Sequence, residues 1–89
     1  MTVMTDQALF DVVREAVMTV LAGAHAGLQP ETRLVEDLGA DSLALIEIVE
    51  ISEERLRGQG LPVWIEDEVL SRMAVLGDLV TALRLDTQR

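Results

Sequence analysis

The chain of 89 residues has no cysteine, no lysine and no tyrosine, and its only aromatic residues are Phe10 and Trp64. Without cysteine there is no disulfide, no thiolate nucleophile and no cysteine-ligated metal. With so few aromatics the core must be aliphatic. A hydrophobic share of 49%, rich in Leu, Val and Ala, points to helices rather than a β-sandwich. No apolar run approaches the ~20 residues of a membrane span. Residues 1–6 lack the basic and apolar regions of a secretion signal, so a cytoplasmic protein is expected. Basic residues are scarce: seven Arg stand against sixteen carboxylates, a net charge of −9. That balance argues against nucleic acid and anionic membranes as partners and favours basic protein surfaces. A single domain spanning residues 1–89 is expected, with its core over about 6–85 and both termini frayed, and a monomer is expected.

What is present is helical periodicity. Leu9, Val13, Val17 and Val20 recur at three-to-four spacing, widened by Phe10 and Leu21, which predicts a first helix over residues 6–22 capped by Thr5 or Asp6 and stopped by Gly23 and Gly27. Residues 23–40 form a long connection, pinned to the core through Leu28, Leu34, Val35 and Leu38. A second helix is predicted from Asp41 or Ser42 to Arg57. Leu45, Ile48, Ser52 and Leu56 lie along one side, Val49 and Ile51 beside them, and Glu47, Glu50, Glu53 and Glu54 on the remaining surface. Gly58, Gly60 and Pro62 end it. A short helix over 66–72, with Val69 and Leu70 inward, and a last helix over 75–85, with Leu76, Leu79, Val80 and Leu83 inward, complete the chain. The last helix lacks a good cap, and Gly77 weakens its first turn. The fold class is all-α: a small four-helix bundle of three longer helices and one short one, with a long loop between the first two.

One segment carries the functional signal: Leu38-Gly39-Ala40-Asp41-Ser42-Leu43. It is a glycine turn, an aspartate suited to cap a helix, and a serine at the first helical position, where the hydroxyl faces solvent at the end of a long loop. Nothing near Ser42 in sequence activates it. The only histidine, His25, lies in the first loop and reads as a solvated loop residue. A Gly-x-Ser-x-Gly elbow is absent. Intrinsic catalysis is therefore not expected, and no metal site is.

The extended segment resembles the phosphopantetheine attachment motif of the acyl carrier protein family of discrete carriers, and the resemblance runs over about residues 6–85. It implies a non-catalytic carrier whose cofactor is 4'-phosphopantetheine, transferred from coenzyme A to Ser42 by a phosphopantetheinyl transferase using magnesium. Acyl groups are then carried as thioesters on the thiol that this chain lacks. Asp41 matches the family's aspartate before the serine and would help seat the transferase. Leu43 and Ile46 match apolar contact positions, and Glu47 and Glu54 acidic positions that meet basic residues on acyl-loading, condensing and tailoring enzymes. Five carboxylates (Asp41, Glu47, Glu50, Glu53, Glu54) against one Arg55 between residues 41 and 56 favour a docking face over general solubility.

Three departures from the family pattern bear on the cargo. Glu50 stands where fatty-acid carriers often have an apolar contact. Ser52 replaces an apolar residue that usually faces the interior, among the acyl-pocket candidates Leu45, Ile48, Ser52 and Leu56; its hydroxyl either meets a polar cargo or bonds back to the carbonyl of Ile48. The link after the second helix is longer than in fatty-acid carriers and holds Trp64, read first as a core plug beneath the third helix and second as part of a partner surface. Together these favour a specialised polyketide, natural-product or related fatty-acid-type pathway and a short or polar cargo. An aminoacyl or peptidyl carrier of the same fold is the nearest rival, although Ala40 favours acyl cargo. A helical interaction module without a prosthetic group is the rival of another class.

Overall fold

The computed structural model describes residues 5–21 and 27–87. Helix α1 (Asp6–Val20) begins where the Thr5 hydroxyl accepts a hydrogen bond from the Ala8 N–H at 3.1 Å. Its buried residues are Leu9, Val12, Val13, Ala16 and Val17, an i, i+3, i+4, i+7, i+8 stripe. The expected stripe was therefore rotated slightly. Val20, Phe10 and Leu21 pack at its edge, while Val12 and Ala16 occupy its centre. The helix ends at Val20, before the expected boundary, and Ala22, Gly23 and His25 lie outside the described residues.

α1 packs against both α2 (Ser42–Gly58) and α4 (Leu76–Thr87). Between them lies an aliphatic core in which Leu9, Ile48, Leu56, Leu76, Leu79 and Leu83 are all fully buried. An ion pair from Arg84 to Asp6 at 3.1 Å ties α4 to the start of α1, and one from Arg55 to Glu15 ties α2 to its middle. No helix among the described residues is long and apolar enough to cross a membrane.

The loop before α2 is built rather than slack. Leu28 and Leu34 are buried and Leu38 packs on the core. Val35, expected to pin the loop, is instead exposed, because the chain from Leu34 to Leu38 coils in turns and sends Leu34 inward. The loop is stitched to the start of α4 by three backbone bonds: Leu34 N–H to Ala74 O at 2.9 Å, Leu76 N–H to Thr32 O at 3.0 Å and Gly77 N–H to Pro30 O at 2.8 Å. A Cβ on Gly77 would stand 3.1 Å from the Pro30 oxygen, so glycine here permits close approach. The expectation that α4 lacks a cap is corrected: Asp78 Oδ2 accepts from the Ala74 and Val75 N–H groups at 2.7 and 3.1 Å, reaching back over the helix start.

Two further corrections concern the C-terminal half. α3 is only Asp67–Leu70, shorter than the expected 66–72, and while Leu70 is buried Val69 is turned outward. Residues 86 and 87, expected to fray, are helical, and Asp86 is buried.

Candidate functional site

Ser42 is the first residue of α2 and is exposed. The turn that delivers it is set by Gly39, whose φ of 67° is a left-handed conformation that glycine adopts without strain. Beyond it Ala40 is buried and its N–H bonds to Leu34 O at 3.0 Å. Asp41 then caps the helix as expected, its Oδ1 accepting from the Ala44 N–H at 2.8 Å. Further back, Asp37 accepts from the Arg33 N–H at 2.8 Å and from its guanidinium, and these hydrogen bonds hold the Asp37 carboxyl below its ordinary value. A positioned loop thus leads to a serine on a capped helix end, and among the described residues its hydroxyl is engaged by no protein group. A cleft of about 230 Å³ opens beside it, lined by Ser42, Leu45, Ile46, Asp67, Leu70 and Ser71. An open hydroxyl at the positive end of a long helix, with an apolar cleft alongside, fits the attachment of a phosphate-linked arm. Among the described residues no cluster of three or more His, Asp or Glu is placed to hold a metal ion.

The residues expected to form a docking face divide. Leu43 is 64% exposed, Ile46 is exposed, and Glu47, Glu50 and Glu54 face solvent. The nearby arginines are drawn away: Arg55 pairs with Glu15, and Arg57 donates to Val63 O at 3.1 Å. Among the described residues none of the three exposed glutamates forms an ion pair. Glu53 does not belong to this face. It is 8% exposed, and its Oε2 accepts from the Ile65 N–H at 2.5 Å.

Of the four acyl-pocket candidates, Leu45 lines the cleft beside Ser42, whereas Ile48, Ser52 and Leu56 are fully buried and do not line it. The Ser52 hydroxyl donates to Ile48 O at 2.8 Å, so its hydrogen bond is spent within the helix.

Trp64 is not a core plug: it is 71% exposed. The link 61–66 is extended, and its side chains alternate, with Leu61, Val63 and Ile65 inward and Pro62, Trp64 and Glu66 outward. Val63 takes the buried position, so its neighbour must face solvent. The Arg57 guanidinium lies over the indole, 5.1 Å from the ring centroid. The link is held on both sides: Glu53 from α2 takes the Ile65 N–H, and Asp86 from α4 takes the Trp64 N–H at 2.5 Å. The period-two pattern Leu-Pro-Val-Trp-Ile-Glu was a signal for this arrangement, as was the three-to-four spacing of Val49, Glu53 and Leu56. The partner groups are backbone N–H groups and leave no mark in sequence.

No family model matches the chain. It is, however, similar over most of its length to curated acyl carrier proteins. The acyl carrier protein of Wolinella succinogenes is 37% identical over 73 residues, 82% of this chain and 90% of that protein. That of Sulfurovum sp. is 36% identical over 73 residues, 82% and 91% respectively. That of Shigella flexneri is 30% identical over 82 residues, 85% and 96%. The fold and the capped serine define a small helical carrier, and the chain belongs to the acyl carrier protein family. Members of that family are non-catalytic carriers, and their cofactor is 4'-phosphopantetheine.

Proposed function

We propose that Ser42 bears the phosphopantetheine arm and that the chain serves a specialised pathway by carrying a short acyl group. The observation that carries the attachment site is the exposed, unengaged serine at the Asp41-capped start of α2, within Leu38-Gly39-Ala40-Asp41-Ser42-Leu43. Ser42 holds the arm and Asp41 fixes the turn that presents it. When attached, the group supplies the thiol on which cargo is held as a thioester. The transferase, with coenzyme A and magnesium, performs the attachment.

Leu43, Ile46, Glu47, Glu50 and Glu54 form the surface offered to the transferase and to acyl-loading, condensing and tailoring enzymes. Exposed ion pairs are each worth only ~0.2–1 kcal/mol. Their use is fast, reversible and selective encounter, which a shuttle visiting several enzymes requires. The full burial of Ile48, Ser52 and Leu56, with the Ser52 hydroxyl spent on Ile48 O, supports a cargo that stays outside the core.

The test is intact mass after incubation with coenzyme A, magnesium and a broad-specificity transferase. A single phosphopantetheine addition is expected on the native chain and none on Ser42→Ala; addition to Ser42→Ala, or none to the native chain with any transferase, would overturn the assignment.

A further inference from the structure

Two clefts run along the outer side of α2 and share an edge. The first opens at Ser42. The second, about 340 Å³, is lined by Val49, Ile65 and Trp64 among others, and Ile46, Asp67 and Leu70 border both. They form one trough whose α2 wall steps by about a turn at a time from Ser42 through Ile46, Val49 and Glu53 to Arg57. At ~1.5 Å per residue, that wall is about 22 Å long.

Trp64 stands at the far end. Its ring is open to solvent, yet its backbone is fixed by the Asp86 and Glu53 carboxylates on successive N–H groups and by the buried Val63. An exposed aromatic plate on a clamped backbone, at the end of a trough that begins at the exposed serine, is the arrangement of a binding platform. Aromatic rings accept planar partners in offset-stacked geometry at little cost in ordering when the backbone is already held.

We propose that this outer trough, and not the core, is the resting site of cargo borne from Ser42, and that Trp64 stacks on a short, uncharged acyl group with a planar tip. The inference rests on the assignment of Ser42 made above. A phosphopantetheine arm has about as many main-chain bonds as five extended residues, giving a reach of roughly 17 Å. About 5 Å of the trough then remains for the acyl group, the length of a small aryl or enoyl unit. The rim sets the charge preference. Glu50, Glu54 and Asp67 line it, and among the described residues that line it Arg57 is the only base, already laid over Trp64 and bonded to Val63 O. A terminal carboxylate would meet the like charges of Glu50, Glu54 and Asp67, three against the single Arg57.

The experiment loads the native chain from phenylacetyl-coenzyme A or malonyl-coenzyme A with a broad-specificity transferase. Intact mass establishes loading, and Trp64 is then followed by its indole N–H resonance and by acrylamide quenching. Trp64 is the only tryptophan, so all indole emission is its own. With the phenylacetyl group the indole resonance should shift and quenching fall by about twofold, because a ring face becomes covered. Methyl shifts should follow at Ile46, Val49 and Ile65. The malonyl group should produce neither effect. In Trp64→Ala, which removes an exposed side chain, the phenylacetyl-dependent methyl shifts should collapse. Full phenylacetyl loading with an unmoved Trp64, shifts centred on Ile48 and Leu56, or an equal response to malonyl would each overturn the trough. Absence of any mass gain would instead overturn the assignment of Ser42, and the inference with it.

Discussion

The two ends of α2 are built for opposite purposes. At the N-terminal end Ser42, Leu43, Ile46 and Glu47 are exposed. At the C-terminal end Ser52, Glu53 and Leu56 are buried, and four polar side chains are engaged, Ser52 on Ile48 O, Glu53 on the Ile65 N–H, Arg55 on Glu15 and Arg57 on Val63 O, while Glu54 faces solvent. One helix therefore anchors with its last turns and presents with its first. The anchoring end rigidifies the link to α3, and α3 borders the cleft that opens at Ser42.

The sharpest way to break this contrast is to compare adjacent glutamates. Glu53→Met leaves the Ile65 N–H without its carboxylate and should cost about 1–2 kcal/mol in urea unfolding followed through Trp64 emission. Glu54→Met, one residue along on the open side, should stay within ~0.5 kcal/mol of the native chain. Equal losses for the two would mean that Glu53 is not an anchor. A smaller effect on stability, but a clear one on rate, is expected for Glu47→Arg and Glu54→Arg. Both should slow the transferase reaction several-fold at low salt while leaving stability within ~0.5 kcal/mol. The difference should shrink as salt screens charges over ~8–10 Å. Unchanged rates at low salt would remove the acidic face from the docking surface.

The smallest effect concerns the loop that aims Ser42. Hydrogen bonds from Arg33 hold the Asp37 carboxyl below its ordinary value of 3.8. Because the folded value is the lower one, the stabilisation is fully present above 3.8 and is lost as pH falls through the depressed folded value. An NMR titration should find Asp37 protonating below 3.8, with the Gly39 and Ala40 amides shifting over the same range. Protonation at or above the ordinary value would show the loop to be looser than described. Asp37→Asn should abolish the dependence.

The presenting half of this comparison was legible in the sequence and the anchoring half was not. Apolar spacing at three to four residues located α1, α2 and α4, because burial of one helix face leaves that period in the chain. Gly39, Asp41 and Ser42 were legible because a left-handed turn, a cap and a first helical position each select residue types. A carboxylate on a helix usually faces water, so the sequence alone places Glu53 on the surface. Its burial depends on a backbone N–H twelve residues away. Asp86 lies beyond the last apolar stripe, where a fraying end is expected, and its burial depends on the Trp64 N–H, twenty-two residues away. The sequence favours Trp64 as a core plug over a partner surface, whereas the link obeys alternation and gives the inward place to Val63. Asp78 caps α4 from inside the helix, two residues past the start where a cap was sought.

The most direct measurement is fragmentation mass spectrometry of the transferase product. The chain offers three serines with different settings: Ser42 exposed on the capped turn, Ser71 exposed after α3, and Ser52 fully buried. All of the added phosphopantetheine mass should map to Ser42. Any substantial share on Ser71 or Ser52 would contradict the claim that the Gly39–Asp41 turn selects the carrier serine.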